Sequence, residues 1–520
     1  MITAVFKKEL LSHLFSQQFA ICTILAVILM STNGLVTSQN WSLKKASYQA
    51  QKVVEAGKPH DITYYGALAA DTDRSTRLGK YKVRVAPRAL RAPRPLELFA
   101  QGDEARLGQA VAVLLFEVPH FIEQVDPFNS DNLFLSLFGF YDMVYVFQLV
   151  LGLLAILIAS GTISGEKEDG TLRLTLTTNI SRAQVLAGKV LGGTTTLAIP
   201  TSLGFIILMI ILLGTDGADV SLTVWWGMGV LFVLSLLYLT VLYLIGLIVS
   251  CVTDRSATSL VYALFLWALL VIVLPNSIAA LFNERANMNE KNDQADVLAA
   301  QVWDELDQAL QELVRVHGQK KYPPTDMIER IWPVDRLDNF GLKMYYDGGS
   351  KPELYINGIA DTPELATFQA IIRSGERLRM QYAQRVWNVQ APLIETFPRR
   401  LERQNAHLQR LFPAGAYAQA ASAIAGTSRE EFYSFIEQVR DYRRQIIDYL
   451  EDLDAFGSRT YFNDDKGWEA DLSDMPHFQE RPSTSKERLR QGLPALSVLL
   501  VYAAGLFALA NRLFFRYNVV

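Results

Sequence analysis

The chain has 520 residues, 50% hydrophobic and 20% charged, with 49 Lys and Arg against 53 Asp and Glu for a formal net charge of −4. Near-neutral charge excludes the basic signature of a nucleic-acid binder, and the two cysteines, Cys22 and Cys251, both in or beside apolar stretches, exclude a disulfide framework. These averages resemble those of a soluble protein, but the charges fall in blocks separated by gaps long enough to cross a bilayer.

A hydrocarbon core about 30 Å thick requires about 20 mostly apolar helical residues. Residues 1–18 precede the first such stretch. There Val5, Phe6, Leu10, Leu11, Leu14 and Phe15 recur at helical spacing beside Lys7 and Lys8, predicting an amphipathic helix lying on the inner leaflet. The charge-free stretch from Phe19 to Val36 predicts a span over 19–37. Its basic start also fits a cleaved signal peptide, but the apolar stretch is long for one and no clear small-x-small site follows. Further gaps run from Asp142 to Glu166, Lys189 to Asp216, Asp219 to Asp254, Arg255 to Glu284 and Arg490 to Arg512. They predict spans over 141–161, 190–213, 225–250, 257–276 and 491–511, joined by a loop at 162–189, a short loop at 214–224 and a turn at 251–256, with a tail at 512–520.

The expected fold is a polytopic α-helical membrane protein with six transmembrane helices, a mixed α/β outer region (38–140) and a larger, mostly helical outer domain (277–490). An even number of spans puts both termini on one side. Lys7, Lys8, Arg512 and Arg516 at the ends, with Lys167, Arg173, Arg182 and Lys189 in the 162–189 loop, place that side in the cytoplasm by the positive-inside rule. The Asp216/Asp219 loop carries no basic residue.

In the first outer region, Arg74, Arg77, Lys80, Lys82, Arg84, Arg88, Arg91 and Arg94 form a basic run without an acid. Lys80 to Val85 alternates like a half-buried strand, and Pro87, Pro93 and Pro95 enforce extended connections. The run reads either as an anionic contact patch, with Arg74, Arg77, Lys80, Lys82, Arg84 and Arg88 as its candidates, or as a solvated strand and loop paired with the acids of 97–131. Asn40-Trp41-Ser42 matches a glycosylation sequon, which means nothing if the cell is bacterial.

The second outer region shows a 3.6-residue stripe at Val297, Leu298, Ala300, Val302, Leu306, Leu310, Leu313 and Val314. A helix is expected from about Pro363 to Val389, broken by Pro392 and Pro398. Another, over Glu430 to Leu453, carries Phe432, Phe435, Ile436, Val439, Tyr442, Ile446, Ile447 and Leu450 on one face. Such stripes are packing surfaces of a helical bundle. Leu411 to Gly426 is apolar but too short to span, and reads as a buried or interfacial helix. Asp471 to Pro482 reads as irregular chain returning to the membrane.

Several chemistries lack their residues. No ionisable side chain lies near the centre of a span, which disfavours proton- or sodium-driven transport. No G-x-x-x-x-G-K-[ST] phosphate loop occurs: Gly188-Lys189 lacks the upstream Gly and precedes Val190. The histidines at 13, 60, 120, 317, 407 and 477 form no H-E-x-x-H, so neither a metal site nor a catalytic constellation is expected.

The most specific segment is SGEKEDGTLRLTLTTNISRAQVLAGK (164–189). Read from charge alone, it is either an interfacial loop that ends one helix and begins the next, or a charged elbow that a partner can grip. The order G-E-K-E-D-G-T-L, then Ser181-Arg182, then Gly188-Lys189 resembles the coupling region of ABC-2 type permeases, the membrane subunits of ATP-binding-cassette transporters. The likeness is greatest to the subfamily with large extracytoplasmic insertions after spans one and five. It extends over 132–174, over 408–443 and over the aromatic end FFRYNVV (514–520); Asn179 stands where relatives often carry Pro.

The resemblance implies a separate nucleotide-binding ATPase, in two copies, that carries ATP and Mg, with no cofactor in this chain. Glu166, Lys167, Glu168, Gly170, Thr171 and Leu172 would form the ATPase-coupling element. It further implies a second permease copy or a paralogue, a bacterial inner (cytoplasmic) membrane location and a periplasmic partner for the outer domains. Two functions follow as expectations: an exporter permease, or an envelope scaffold that transmits ATP-driven motion to a partner without moving a substrate.

Overall fold

The computed structural model describes residues 2–61, 87–102, 109–113, 115, 118–119, 142–177, 181–215, 221–275, 277, 286–317, 336–338, 341–343, 365–458 and 471–516. Each of the six apolar stretches is helical and long enough to cross a membrane, and the protein is a polytopic helical membrane protein. Strand is confined, among the described residues, to two short antiparallel pairs, β1 (Arg88–Leu90) with β2 (Ala110–Ala112) and β3 (Arg336–Asp338) with β4 (Gly341–Lys343).

Helix α1 (Ile2–Leu14) turns tightly into α2 (Gln17–Asp61), where Ser16 Oγ accepts from Phe19 N. The first span was expected over 19–37, but α2 runs on for 45 residues, deep into what was expected as the first outer region. No Pro stands between Gln17 and Lys58, Pro59 coming only in the last turn, so nothing ends the helix where the apolar stretch ends.

Span two, α3, covers 143–161 as Met143–Val146, a π turn at Phe147–Leu151 and Gly152–Gly161. Asp142 caps it, accepting from Tyr145 N at 3.2 Å and from Gln101 N at 3.0 Å. Two short helices follow, α4 (Ser164–Glu168) and α5 (Thr171–Leu176). Then come α6 (Arg182–Gly214), opened by a Ser181/Gln184 capping box, α7 (Leu222–Val252) and α8 (Ser256–Trp267), which a π turn at Ala268–Val273 extends. The last span, α14 (Ser485–Phe515), returns to the level of α1, where Arg182 donates to Phe515 O at 2.6 Å. Both described ends of the chain and the 162–189 loop therefore share one end of the bundle, here called the termini end.

Between spans five and six the chain forms α9 (Ala286–His317), α10 (Leu365–Ala391), α11 (Phe397–Arg410), α12 (Pro413–Ala425) and α13 (Arg429–Asp452). A second hydrophobic core joins α9, α10 and α13 with Ala89, Val111, Val113, Leu115 and Val118 of the first outer region, so the two outer regions share one core. The α13 stripe is buried much as its spacing predicts, whereas that of α9 is rotated. Ala295, Ala299, Trp303, Leu306 and Leu310 are buried, while Val297 and Leu298 are exposed. Pro392 and Pro398 do not break the helix as expected. A π turn at Pro392–Thr396 joins α10 directly to α11, with Ala391 and Thr396 at helical dihedrals, so the register widens instead of ending.

Of the basic run, Arg74, Arg77, Lys80, Lys82 and Arg84, with the expected Lys80–Val85 strand, lie outside the described residues. Arg88 opens β1, and its N–H donates to Glu55 of α2 at 3.0 Å. Arg91 and Arg94 are buried and pair with Glu480, and Arg94 also with Glu431, both acids of the second outer region.

The apolar segment at 411–426 is resolved as a buried helix. Ala414, Ala416, Tyr417, Ala420, Ala421, Ile424 and Ala425 of α12 enter the membrane core beside α7 and α14. Tyr417 stacks on Tyr238 at 4.5 Å between ring centres and donates to Ser235 Oγ at 2.9 Å, while Gln148 donates to Ala414 O at 2.8 Å. Gly426, at φ +76°, ends the helix.

Candidate functional site

The 162–189 loop gathers four elements at the termini end through three charged residues. Glu166 faces α1 and α6. Its carboxylate lies 2.9 Å from Lys189 Nζ and 2.6 Å from Lys8 Nζ. Lys167 reaches the C-terminus of α7, donating to Cys251 O at 2.6 Å and Thr253 O at 2.9 Å. Glu168 reaches the N-terminus of α8 and accepts from Ser256 N at 3.0 Å. The signs follow helix polarity: the ammonium meets carbonyls left over at a C-terminus, and the carboxylate meets an N–H left over at an N-terminus. Ser250 Oγ completes the elbow by accepting from Ile163 N and Ser164 N at 3.0 and 2.8 Å.

At the centre is Lys189, 1% exposed. Its ammonium donates to Glu9 at 2.6 Å and to Thr162 O at 3.0 Å, besides the Glu166 pair, so it has three acceptors. A buried charge is tolerated only when paired and hydrogen-bonded in this way. Tyr243 donates to Lys189 O at 3.1 Å, with its ring against Gly193. Glu9 also lies 3.6 Å from His13 Nε2. Burial holds the His13 pKa below its usual value, and the Lys189 charge adds to the shift while Glu9 opposes it.

The expected surface helix α1 is thus docked. Its inward stripe carries Val5 and Glu9, seated on α6 at Gly188 and Gly192. A Cβ at Gly188 would stand 2.9 Å from Val5 and one at Gly192 would stand 2.7 Å from Glu9 Cβ. Only glycine permits so close a crossing. Leu11 and Phe15, counted in the sequence stripe, are exposed.

Of the residues expected to couple, Glu166 and Lys167 are partly buried and Glu168 is exposed; Lys167 and Glu168 are spent on helix ends and Glu166 on two lysines, and Leu172 is fully buried. Gly170, at φ +72° with nothing within 4 Å of an added Cβ, and Thr171 are exposed. Beside them Asp169, Arg173 and Leu174 are exposed, Leu174 by 70%. Asn179 lies outside the described residues. The sequence did not mark Glu9, Lys8, Tyr243 or Ser250 as site residues, and it marked Lys189 as a basic loop residue opening a span, not as a buried partner of Glu9 and Glu166. An acid inside a helical apolar repeat was the available sign for Glu9. Among the described residues no group of His, Cys, Asp and Glu can hold a metal ion.

The profile of a family described as ABC-2 family transporter protein matches residues 3–519. A curated relative from Stutzerimonas stutzeri, described as "Probable ABC transporter permease protein NosY", is 32% identical over 130 residues, which is 25% of this chain and 47% of the relative. That match spans about half of the relative's length.

Proposed function

The chain belongs to the ABC-2 family of transporter proteins, and from that premise we propose that the 162–189 loop is where a separate ATPase drives this permease subunit. The termini end faces the cytoplasm of a bacterial inner membrane. Asp169 to Thr171, with Arg173 and Leu174, form the docking turn, and Glu166, Lys167 and Glu168 pass its displacement to α1, α6, α7 and α8. One observation carries this reading: a turn exposed to solvent is continuous with three charged residues that hold different helices, Glu166 the lysines of α1 and α6, Lys167 the C-terminus of α7 and Glu168 the N-terminus of α8. ATP and Mg belong to the ATPase, which engages two permease chains, either two copies or this one and a paralogue. The direction is export.

A second reading, that the chain moves an envelope partner through its outer domain without transporting a substrate, is favoured by one feature. Helix α12 of the outer domain enters the bundle to Tyr238.

The test is the double variant Arg173→Glu with Leu174→Asp in the full chain, co-expressed with its ATPase. ATPase recovered with the chain should fall at least tenfold while the thermal midpoint of the chain stays put, because both side chains face solvent. Recovery at the wild-type level would refute the docking turn.

A further inference from the structure

Helix α2 is fastened at both ends and, between them, packs on α6 by one side only. At the termini end it continues from α1 through one hydrogen-bonded turn, Ser16 Oγ donating to His13 O at 2.8 Å and accepting from Phe19 N, and α1 is held by Glu9 on Lys189 and by the glycine crossings. At the far end Trp41, 2% exposed, donates to Arg94 O at 3.0 Å, Lys44 pairs with Glu97, and Glu55 accepts from Arg88 N. Between these, Ile21, Ile24, Leu25 and Ile28 are exposed, and the buried side, Ala26 and Met30, lies along α6, where Gly204 faces Met30. Forty-five residues of α-helix extend about 67 Å. Lys189 holds the coupling loop's Glu166 and α1's Glu9 at once.

We infer that Glu9 and Lys189 are positioning residues of the coupling step: they join the loop to α1, and the continuous α2 helix delivers the loop's displacement to the outer domain as a strut. This rests on the coupling reading above and adds the route. A helix without a break is stiff along its axis, so a shift at α1 reappears at Trp41 unless an attachment gives way. Trp41 and Lys44 grip the segment that carries Arg94, whose side chain pairs with Glu431 at the start of α13, and so the route enters the shared outer core.

The experiment uses the full chain in complex with its ATPase in nanodiscs, with spin labels at Val53, exposed on the outer part of α2, and Leu222, exposed at the outer start of α7. The distance between labels is read with and without ATP and Mg. Wild type should show a nucleotide-dependent shift, Glu9→Gln and Lys189→Met should reduce it to less than half, and Lys189→Arg should keep it. Trp41→Ala, at the opposite end of the strut, should also reduce it to less than half while ATPase co-purifies at the wild-type ratio. If the Lys189 variants do not fold, Glu9→Gln and Trp41→Ala decide. A wild-type shift that persists at full size in those two overturns the strut and leaves the coupling reading standing. A wild-type complex that binds ATPase but shows no shift overturns both.

Discussion

Replacing Lys189 by Met removes the cation between two carboxylates. Glu166 keeps Lys8 at 2.6 Å, but Glu9, with a side chain 7% exposed, keeps only His13 at 3.6 Å. Breaking a buried pair from one side costs about 3–5 kcal/mol, because the remaining charge stays desolvated. That corresponds to roughly two to four powers of ten in the equilibrium for releasing α1 from α6. Hydrogen exchange of the amides of residues 2–14 in nanodiscs measures that release. Lys189→Met should speed exchange there by at least about a hundredfold. Lys8→Met removes a pair whose lysine side chain is 55% exposed, a contribution of about 0–1 kcal/mol, and should speed exchange less than about fivefold. Adding Glu9→Gln to Lys189→Met removes the stranded charge and should recover much of the protection. Exchange in 2–14 that changes less than threefold in Lys189→Met, with the spans still protected, would refute the lock.

Acidification tests the same helix from another group. The folded pKa of His13 is lowered, so docked α1 binds fewer protons than released α1; its stability is complete above about pH 6.5 and declines as pH falls below that value. Intrinsic-rate-corrected exchange of 2–14 should therefore rise between pH 7.5 and 5.5, and His13→Gln should remove the His13 share of that rise. Gly193→Ala would place a Cβ 2.2 Å from the Tyr243 ring and should lower stability by about 1–3 kcal/mol, seen as a lower thermal midpoint. Gly214→Ala, with open space, is the control that should not overpack. Tyr417→Phe removes the hydrogen bond to Ser235 and should cost about 1 kcal/mol; an unchanged midpoint would mean that this bond contributes nothing.

The spans were legible because exclusion of charge over 20 residues is a one-dimensional signal that neighbours cannot disguise. The loop was legible as a motif, but its spacing could not say which way each residue faces. Glu166 turns in to meet Lys189, whereas Leu174, an apolar residue, faces out. Glu9 was hidden for the same reason, since a helix with an acid on its apolar side looks like a surface helix until the partner lysine, 180 residues on, is in view. In α9 the alanines at 295 and 299 mark the close-packed face, while large Val297 and Leu298 misdirect a count of apolar residues. Arg91 and Arg94 find acids several hundred residues away, which no local charge count reveals.

The depth of α12 constrains how the molecule is made. Tyr417 rests on Tyr238, close to the middle of the 31-residue α7, yet α12 belongs to the polypeptide synthesised after span five and before span six. When the first five spans have been made, the groove that will receive Tyr417 is still vacant, and neither the Tyr238 ring nor the Ser235 hydroxyl has met it. Packing of the bundle is completed only after the long segment between spans five and six has been made and has folded back. Biogenesis of the membrane half therefore depends on the half outside it, and a chain truncated before residue 413 should be recognised by quality-control proteases as unfinished.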